Sequence, residues 1–113
     1  MLEITHMDEV LVVRLKDGDR LNESIAIPVR EKLLELFSKP NIRLVFDLEG
    51  ITFIDSSGFG VFLAAVKAAS HTNGQFKICN LSGELVELFK LLQLHHVMEI
   101  YDRLEACLLS FEQ

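Results

Sequence analysis

Residues 42–60 read Ile-Arg-Leu-Val-Phe-Asp-Leu-Glu-Gly-Ile-Thr-Phe-Ile-Asp-Ser-Ser-Gly-Phe-Gly, and this run leaves the chain few folding options. From Ile42 to Leu48 the residues are almost continuously apolar, as in a central strand covered on both faces. After Asp47 come a turn and a second short apolar segment, Phe53-Ile54. Asp55-Ser56-Ser57-Gly58 then stands directly before a helical pattern. Paired hydroxyls at the mouth of a helix lie where backbone N–H groups point outward and negative charge is tolerated.

The flanking segments alternate between the two periodicities. Val10–Leu15 is β-branched and apolar and predicts a strand, paired across a turn at residues 7–9 with Leu2–Thr5. Asp17-Gly18-Asp19 is a turn signal. Pro28 suits the first turn of a helix whose apolar stripe is Val29, Leu33, Leu36 and Phe37. Beyond Gly58, the residues Phe59, Phe62, Leu63, Val66 and Ala69 predict the core stripe of a second helix, ended by Asn73-Gly74. Phe76–Cys79 reads as a strand. Ser82 caps a third helix with the stripe Leu85, Leu88, Phe89 and Leu92. Val97–Tyr101 is a short strand, and Asp102 to Glu105 has the form of a capping box opening a last helix. Strands alternating with helices after an initial hairpin give an α/β layer: a mixed sheet of four to five strands, with about four helices mainly on one side. With 113 residues and no linker or repeat, a single domain over 1–113 is expected.

Composition narrows the partners. Half the residues are hydrophobic, so a packed core is expected, filled by aliphatics and the eight Phe in the absence of Trp. The formal net charge of −6 argues against nucleic acid and suits basic or mixed protein surfaces. No stretch reaches the roughly 18–20 apolar residues of a membrane span, and residues 1–9 lack the character of a signal peptide. A cytoplasmic protein without membrane insertion is expected. Cys79 and Cys107 lack metal-site or redox-motif spacing and are expected as buried free thiols.

Catalytic readings fare poorly. A nucleophile elbow needs Gly-x-Ser-x-Gly, which neither Ser56 nor Ser57 satisfies. Nothing in the sequence brings His6, His71, His95 or His96 to these serines. His95-His96 has no third ligand, Asp47, Glu49 and Asp55 are scattered by strand and turn, and no Walker-type loop is present. No cofactor, metal or enzymatic activity is expected. The helix after the motif instead turns Gly60, Val61, Ala64, Lys67 and Ala68 toward solvent, a small and apolar face suited to docking. Gly58 and Gly60 either admit a partner's backbone to the serines or permit a tight strand-to-helix turn. Ser57 is most economically a helix cap.

Asp47-Leu48 followed by Ile54-Asp55-Ser56-Ser57-Gly58-Phe59-Gly60 resembles the signature of the anti-sigma-factor antagonists, bacterial members of the STAS domain family. The resemblance extends over the whole chain, with its specific motif confined to residues 47–60. It implies a STAS fold and phosphorylation by a partner kinase on Ser56, the first hydroxyl after the Asp. It implies binding to an anti-sigma factor of the serine/threonine-kinase type and reversal by a serine phosphatase. Residues 55–58, Gly60, Val61, Ala64 and Lys67 would then form the docking surface. Gly18–Asn22 resembles the family loop ahead of the first helix, adding Asp19 and Asn22 to the partner-binding set. The loop carries one extra residue, and Asn22 stands where Asp is common. STAS domains also brace lipid-transport ATPase complexes or act in partner switching with a non-sigma output. Self-association into a weak homodimer stays open.

Overall fold

Leu44, Val45 and Phe46 are wholly sequestered from solvent because they lie on the middle strand of a five-stranded sheet. The structure is a computed structural model and describes residues 1–112. Strands β1 (Leu2–Met7), β2 (Val10–Leu15), β4 (Arg43–Asp47), β6 (Gln75–Cys79) and β7 (Glu99–Tyr101) lie in the order β1-β2-β4-β6-β7. β1 runs antiparallel to β2, and the remaining pairs are parallel. Asp8 and Glu9 close the hairpin with φ of 50° and 65°. Two successive left-handed residues match the twist of the flanking strands.

Side-chain alternation assigns the two faces of the sheet. Phe76 and Ile78 of β6 join Leu44 and Phe46 under α1 (Glu23–Leu36), α2 (Ser56–His71) and α3 (Gly83–Leu91). Cys79 points to the opposite face, which α4 (Leu104–Ser110) covers with Cys107 and with Phe111 just past its end. The larger core is knitted by Phe rings: Phe46–Phe62, Phe62–Phe76, Phe62–Phe89 and Phe37–Phe76 have centroids 5.6–6.3 Å apart. Such edge and tilted contacts add to the area they bury. The mixed sheet, with helices mainly on one side, is the α/β architecture expected.

Four local expectations are corrected. Helix α1 begins at Glu23 because Asn22 caps it, its Oδ1 accepting from the Ser24 N–H at 3.1 Å. Pro28 therefore sits inside the helix, where the carbonyl it leaves unpaired belongs to exposed Ser24 and can be hydrated. Leu92 is exposed rather than part of the core stripe, and helix α3 itself ends at Leu91. Residues Leu94–His96 form a 3₁₀ turn ahead of β7, leaving Val97 outside the strand. Arg103, with no side-chain capping bond, stands at the mouth of α4 where a capping box was expected.

A second sheet was not foreseen. β3 (Arg20–Leu21) pairs in parallel with β5 (Phe53–Ile54). This two-stranded ribbon brings the loop ahead of α1 beside the Asp55-Ser56-Ser57-Gly58 turn.

Candidate functional site

Asp55 organises the site. Its Oδ1 accepts from the Gly58 N–H at 3.0 Å, capping α2, and its Oδ2 accepts from the Glu23 N–H at 3.1 Å at the start of α1. One carboxylate thus satisfies donors of two helix N-termini and holds them side by side. The backbone N–H of Asp55 in turn donates to the Leu21 carbonyl at 3.3 Å. Ser57 is therefore not the cap. Ser56 is the first residue of α2, is exposed, and has no capping task.

The two glycines divide the roles left open by the sequence. A Cβ on buried Gly58 would overlap the Leu21 carbonyl oxygen and come within 2.7 Å of Ile54 Cγ2. Only hydrogen fits where β3 passes the first turn of α2. A Cβ on exposed Gly60 would meet nothing within 4 Å. Gly58 is thus a packing position, and Gly60 lies on open surface.

Helix α2 is rotated relative to the expected docking face. Val61 is only 1% exposed, whereas Leu63, expected in the core, is 44% exposed. Gly58, Val61, Phe62, Ala65 and Ala69 are buried, while Ser56, Gly60, Leu63 and Lys67 form the exposed stripe. The cause is α1, which packs along α2 and takes the Val61 side. Val61 becomes the floor of a shallow groove of about 350 Å³ between the helices, lined also by Ala26, Ile27, Arg30, Ser57, Gly60 and Ala64. Ala64 is half-buried at its edge.

Three residues absent from the sequence-derived set stand around this site. Ile27 of α1 is 67% exposed and Phe53 is 42% exposed, its ring 5.1 Å from the Arg20 guanidinium. Leu63 is the third. An apolar residue seven positions after Ser56 on the same helix face was the signal available for Leu63; Ile27 and Phe53 are placed by tertiary packing. Asp19 serves the ribbon, with its carbonyl accepting from Thr52 N–H at 2.8 Å and its Oδ2 from the Thr52 hydroxyl at 3.2 Å. Asn22, as the α1 cap, sits next to Glu23 and so beside the Asp55 carboxylate.

Asp47, the other acid of the motif, is buried and fully partnered. Arg14 Nε donates to Oδ2 at 2.7 Å, while Asn80 Nδ2 and the Glu49 N–H donate to Oδ1 at 2.9 and 3.0 Å. The hydrogen bond to Asp47 raises the Arg14 pKa above its ordinary value. This network braces the ends of β2, β4 and β6. His95 and His96 stack on the surface, and among the described residues no three His, Cys, Asp or Glu side chains cluster as a metal site. No helix among the described residues is long and apolar enough to cross a membrane.

With this geometry in place, residues 1–107 match the STAS domain family. The chain belongs to the STAS domain family. Several curated relatives are named anti-sigma-factor antagonists. The chain is 29% identical over 102 residues to the anti-sigma F factor antagonist of Paenibacillus polymyxa, covering 89% of this chain and 86% of that protein. Among solved structures it is similar to a STAS-domain anti-sigma-factor antagonist from Planctomyces limnophilus, with a TM-score of 0.89 at 23% identity, covering 99% and 98% of the two chains. It also shares its fold with the antagonist SpoIIAA of Bacillus in the unphosphorylated form, at TM-score 0.70, 18% identity and 97% and 96% coverage. The phosphorylated form of SpoIIAA matches at TM-score 0.67, 21% identity and 95% and 96% coverage.

Proposed function

We propose that this STAS domain is a phosphorylation-controlled anti-sigma-factor antagonist with no catalytic activity of its own. Unmodified, it binds a serine-kinase anti-sigma factor across the exposed stripe of α2 and the groove to α1. Phosphorylation of Ser56 by that kinase ends the interaction, and a serine phosphatase restores it. The observation that carries this reading is the position of Ser56: exposed, first in α2, relieved of capping by Asp55, and in line with Gly60, Leu63 and Lys67.

The electrostatics suit a switch. A phosphate brings about −1.5 to −2 charges and three acceptor oxygens. The helix dipole favours it by roughly 0.3–1 kcal/mol, and α2 carries no acid within its first turn. Asp55 opposes it, so the fold itself gains or loses little. A fold of this kind accommodates a phosphorylated member, as the SpoIIAA pair illustrates. A partner seated over Leu63 and Ile27 would strip water from Ser56, where like-charge and desolvation costs reach several kcal/mol. A hundredfold loss of affinity needs only about 2.8 kcal/mol.

The test is direct. With a serine-kinase anti-sigma factor and ATP, intact-mass analysis should find one phosphate, mapped to Ser56 and removed by phosphatase. Ser56→Ala should fold and bind the partner while accepting no phosphate. Ser56→Asp should bind more weakly in calorimetry. Undiminished phosphate uptake by Ser56→Ala, or unchanged affinity of Ser56→Asp, would overturn the assignment.

A further inference from the structure

The large sheet ends on one side at β7, three residues long, and on the other at β1, six residues long. A short strand is one way in which sheets blunt an open edge; Pro, charges and bulges are others. β1 uses almost none of these. Its sequence, Leu-Glu-Ile-Thr-His-Met, has no Pro and no Lys, carries one acid, and pairs with β2 without a bulge. Among the described residues no segment pairs with its outer edge.

The hairpin register shows which backbone groups that edge offers. The Lys16 N–H donates to the Met1 carbonyl at 2.8 Å, which makes Met1 and Lys16 a hydrogen-bonded pair. Such pairs alternate along an antiparallel ladder. Glu3, Thr5 and Met7 therefore bond toward β2, while Leu2, Ile4 and His6 turn their N–H and C=O groups outward. We propose that this open row pairs with its counterpart on a second copy of the chain, joining the two sheets into one continuous sheet.

The row is complementary to itself. An antiparallel partner related by a two-fold axis at Ile4 sets Ile4 opposite Ile4 of the second copy, and Leu2 opposite His6. All three outward residues then fall in hydrogen-bonded pairs, each exchanging two N–H···O bonds. No other register pairs all of them. The side chains agree with it. Leu2 and Ile4 pack at the margin of the larger core, so Ile4 of the second copy extends an apolar layer already present. On the opposite face Glu3 falls opposite Thr5, and no like charges meet across the seam. Glu3 also faces Arg14 across the β1–β2 ladder of its own subunit. In a chain of net charge −6, a seam without facing acids is what self-association requires.

Six residues at about 3.4 Å each make a seam about 20 Å long. So short a contact suits weak, reversible association rather than a permanent dimer. β2 and β4 separate the seam from β6, on which α2 packs, so each copy keeps its Ser56 stripe free. Pairing at β1 is therefore independent of the switch at Ser56.

The experiment is sedimentation velocity on the full chain at concentrations up to about 1 mM, where weak pairing is populated. The wild type should shift reversibly from monomer to dimer as concentration rises. His6→Pro deletes an outward N–H that bonds nothing within its own subunit, so the fold should survive. Its dimerisation should weaken at least about tenfold. His6→Ala keeps the N–H and should associate like the wild type. Under mild oxidation Ile4→Cys should give a linked dimer that a thiol reductant reverses, because hydrogen-bonded pairs stand about 5.5 Å apart at Cα. Glu3→Cys, out of register with its own copy, should link far more slowly. A monomeric wild type, undiminished association of His6→Pro, equal loss in His6→Ala, or equal linking of the two cysteine variants would overturn the proposal. The cysteine pair decides the register even where the proline variant fails to fold.

Discussion

Gly58 and Gly60, two residues apart on one helix, show how a single residue type answers to different physics. Gly58 lies under the Leu21 carbonyl with no room for a methyl group, and Gly60 faces open space. Gly58→Ala should destabilise the fold by about 1–3 kcal/mol, the usual cost of overpacking a site that cannot relax. Gly60→Ala should stabilise it by about 0.5–1 kcal/mol, because alanine loses less backbone freedom in a helix. Urea denaturation of the two variants checks both signs; equal effects would remove the distinction drawn between packing and surface. The sequence left both roles open for this pair because the ribbon strand that crosses Gly58 comes from residues 20–21, remote in the chain. Ser57 gave a plausible cap for the same reason. Asp, Ser and a second Ser are each competent N-caps, and only the backbone conformation of Asp55, extended at φ −100° and ψ −174°, decides among them.

At the scale of elements, strands and helices were legible where periodicity spoke alone. The run Ile42–Leu48 became a buried central strand, and the stripe Val29, Leu33 and Phe37 faces the core. The rotation of α2 was not legible. A helix rich in Gly, Ala and Val has two faces apolar enough to bury, and the choice is made by α1 packing against the Val61 side. The start of α1 was missed because Pro28 is a strong local signal, whereas the actual cap, Asn22, is fixed alongside Asp55. This joint capping has a measurable consequence. Asp55→Ala removes an acceptor from α1 and from α2 together and should cost about 1–2 kcal/mol. Ser57→Ala, which removes no cap, should stay within about 0.5 kcal/mol. A comparison of urea midpoints with unchanged slopes separates these outcomes; a larger loss in Ser57→Ala would mean that the capping role belongs to the hydroxyl.

The whole molecule divides its labour between the two faces of one sheet. Helices α1, α2 and α3 lie on one side, with the Ser56 stripe on α2, and α4 on the other closes a small separate core. The docking surface proposed on one side can therefore be altered without disturbing the other, and its worth measured against an exposed control on the opposite face. Leu63 is 44% exposed on the α2 stripe, and Leu109 is 62% exposed on α4. Neither contributes enough buried area for a charge to unfold the protein, so Leu63→Glu and Leu109→Glu should each change stability by no more than about 0.5 kcal/mol. An apolar side chain near the centre of an interface is a different matter, since the partner's surface must desolvate whatever replaces it. Leu63→Glu should thus weaken binding to the kinase anti-sigma factor at least tenfold, about 1.4 kcal/mol, while Leu109→Glu leaves it unchanged. Calorimetric titration of the two variants reads this difference. Equal affinities would move the partner off the α2 stripe, and Ser56 would then have to act at a distance, which a rigid first turn of helix gives it no means to do.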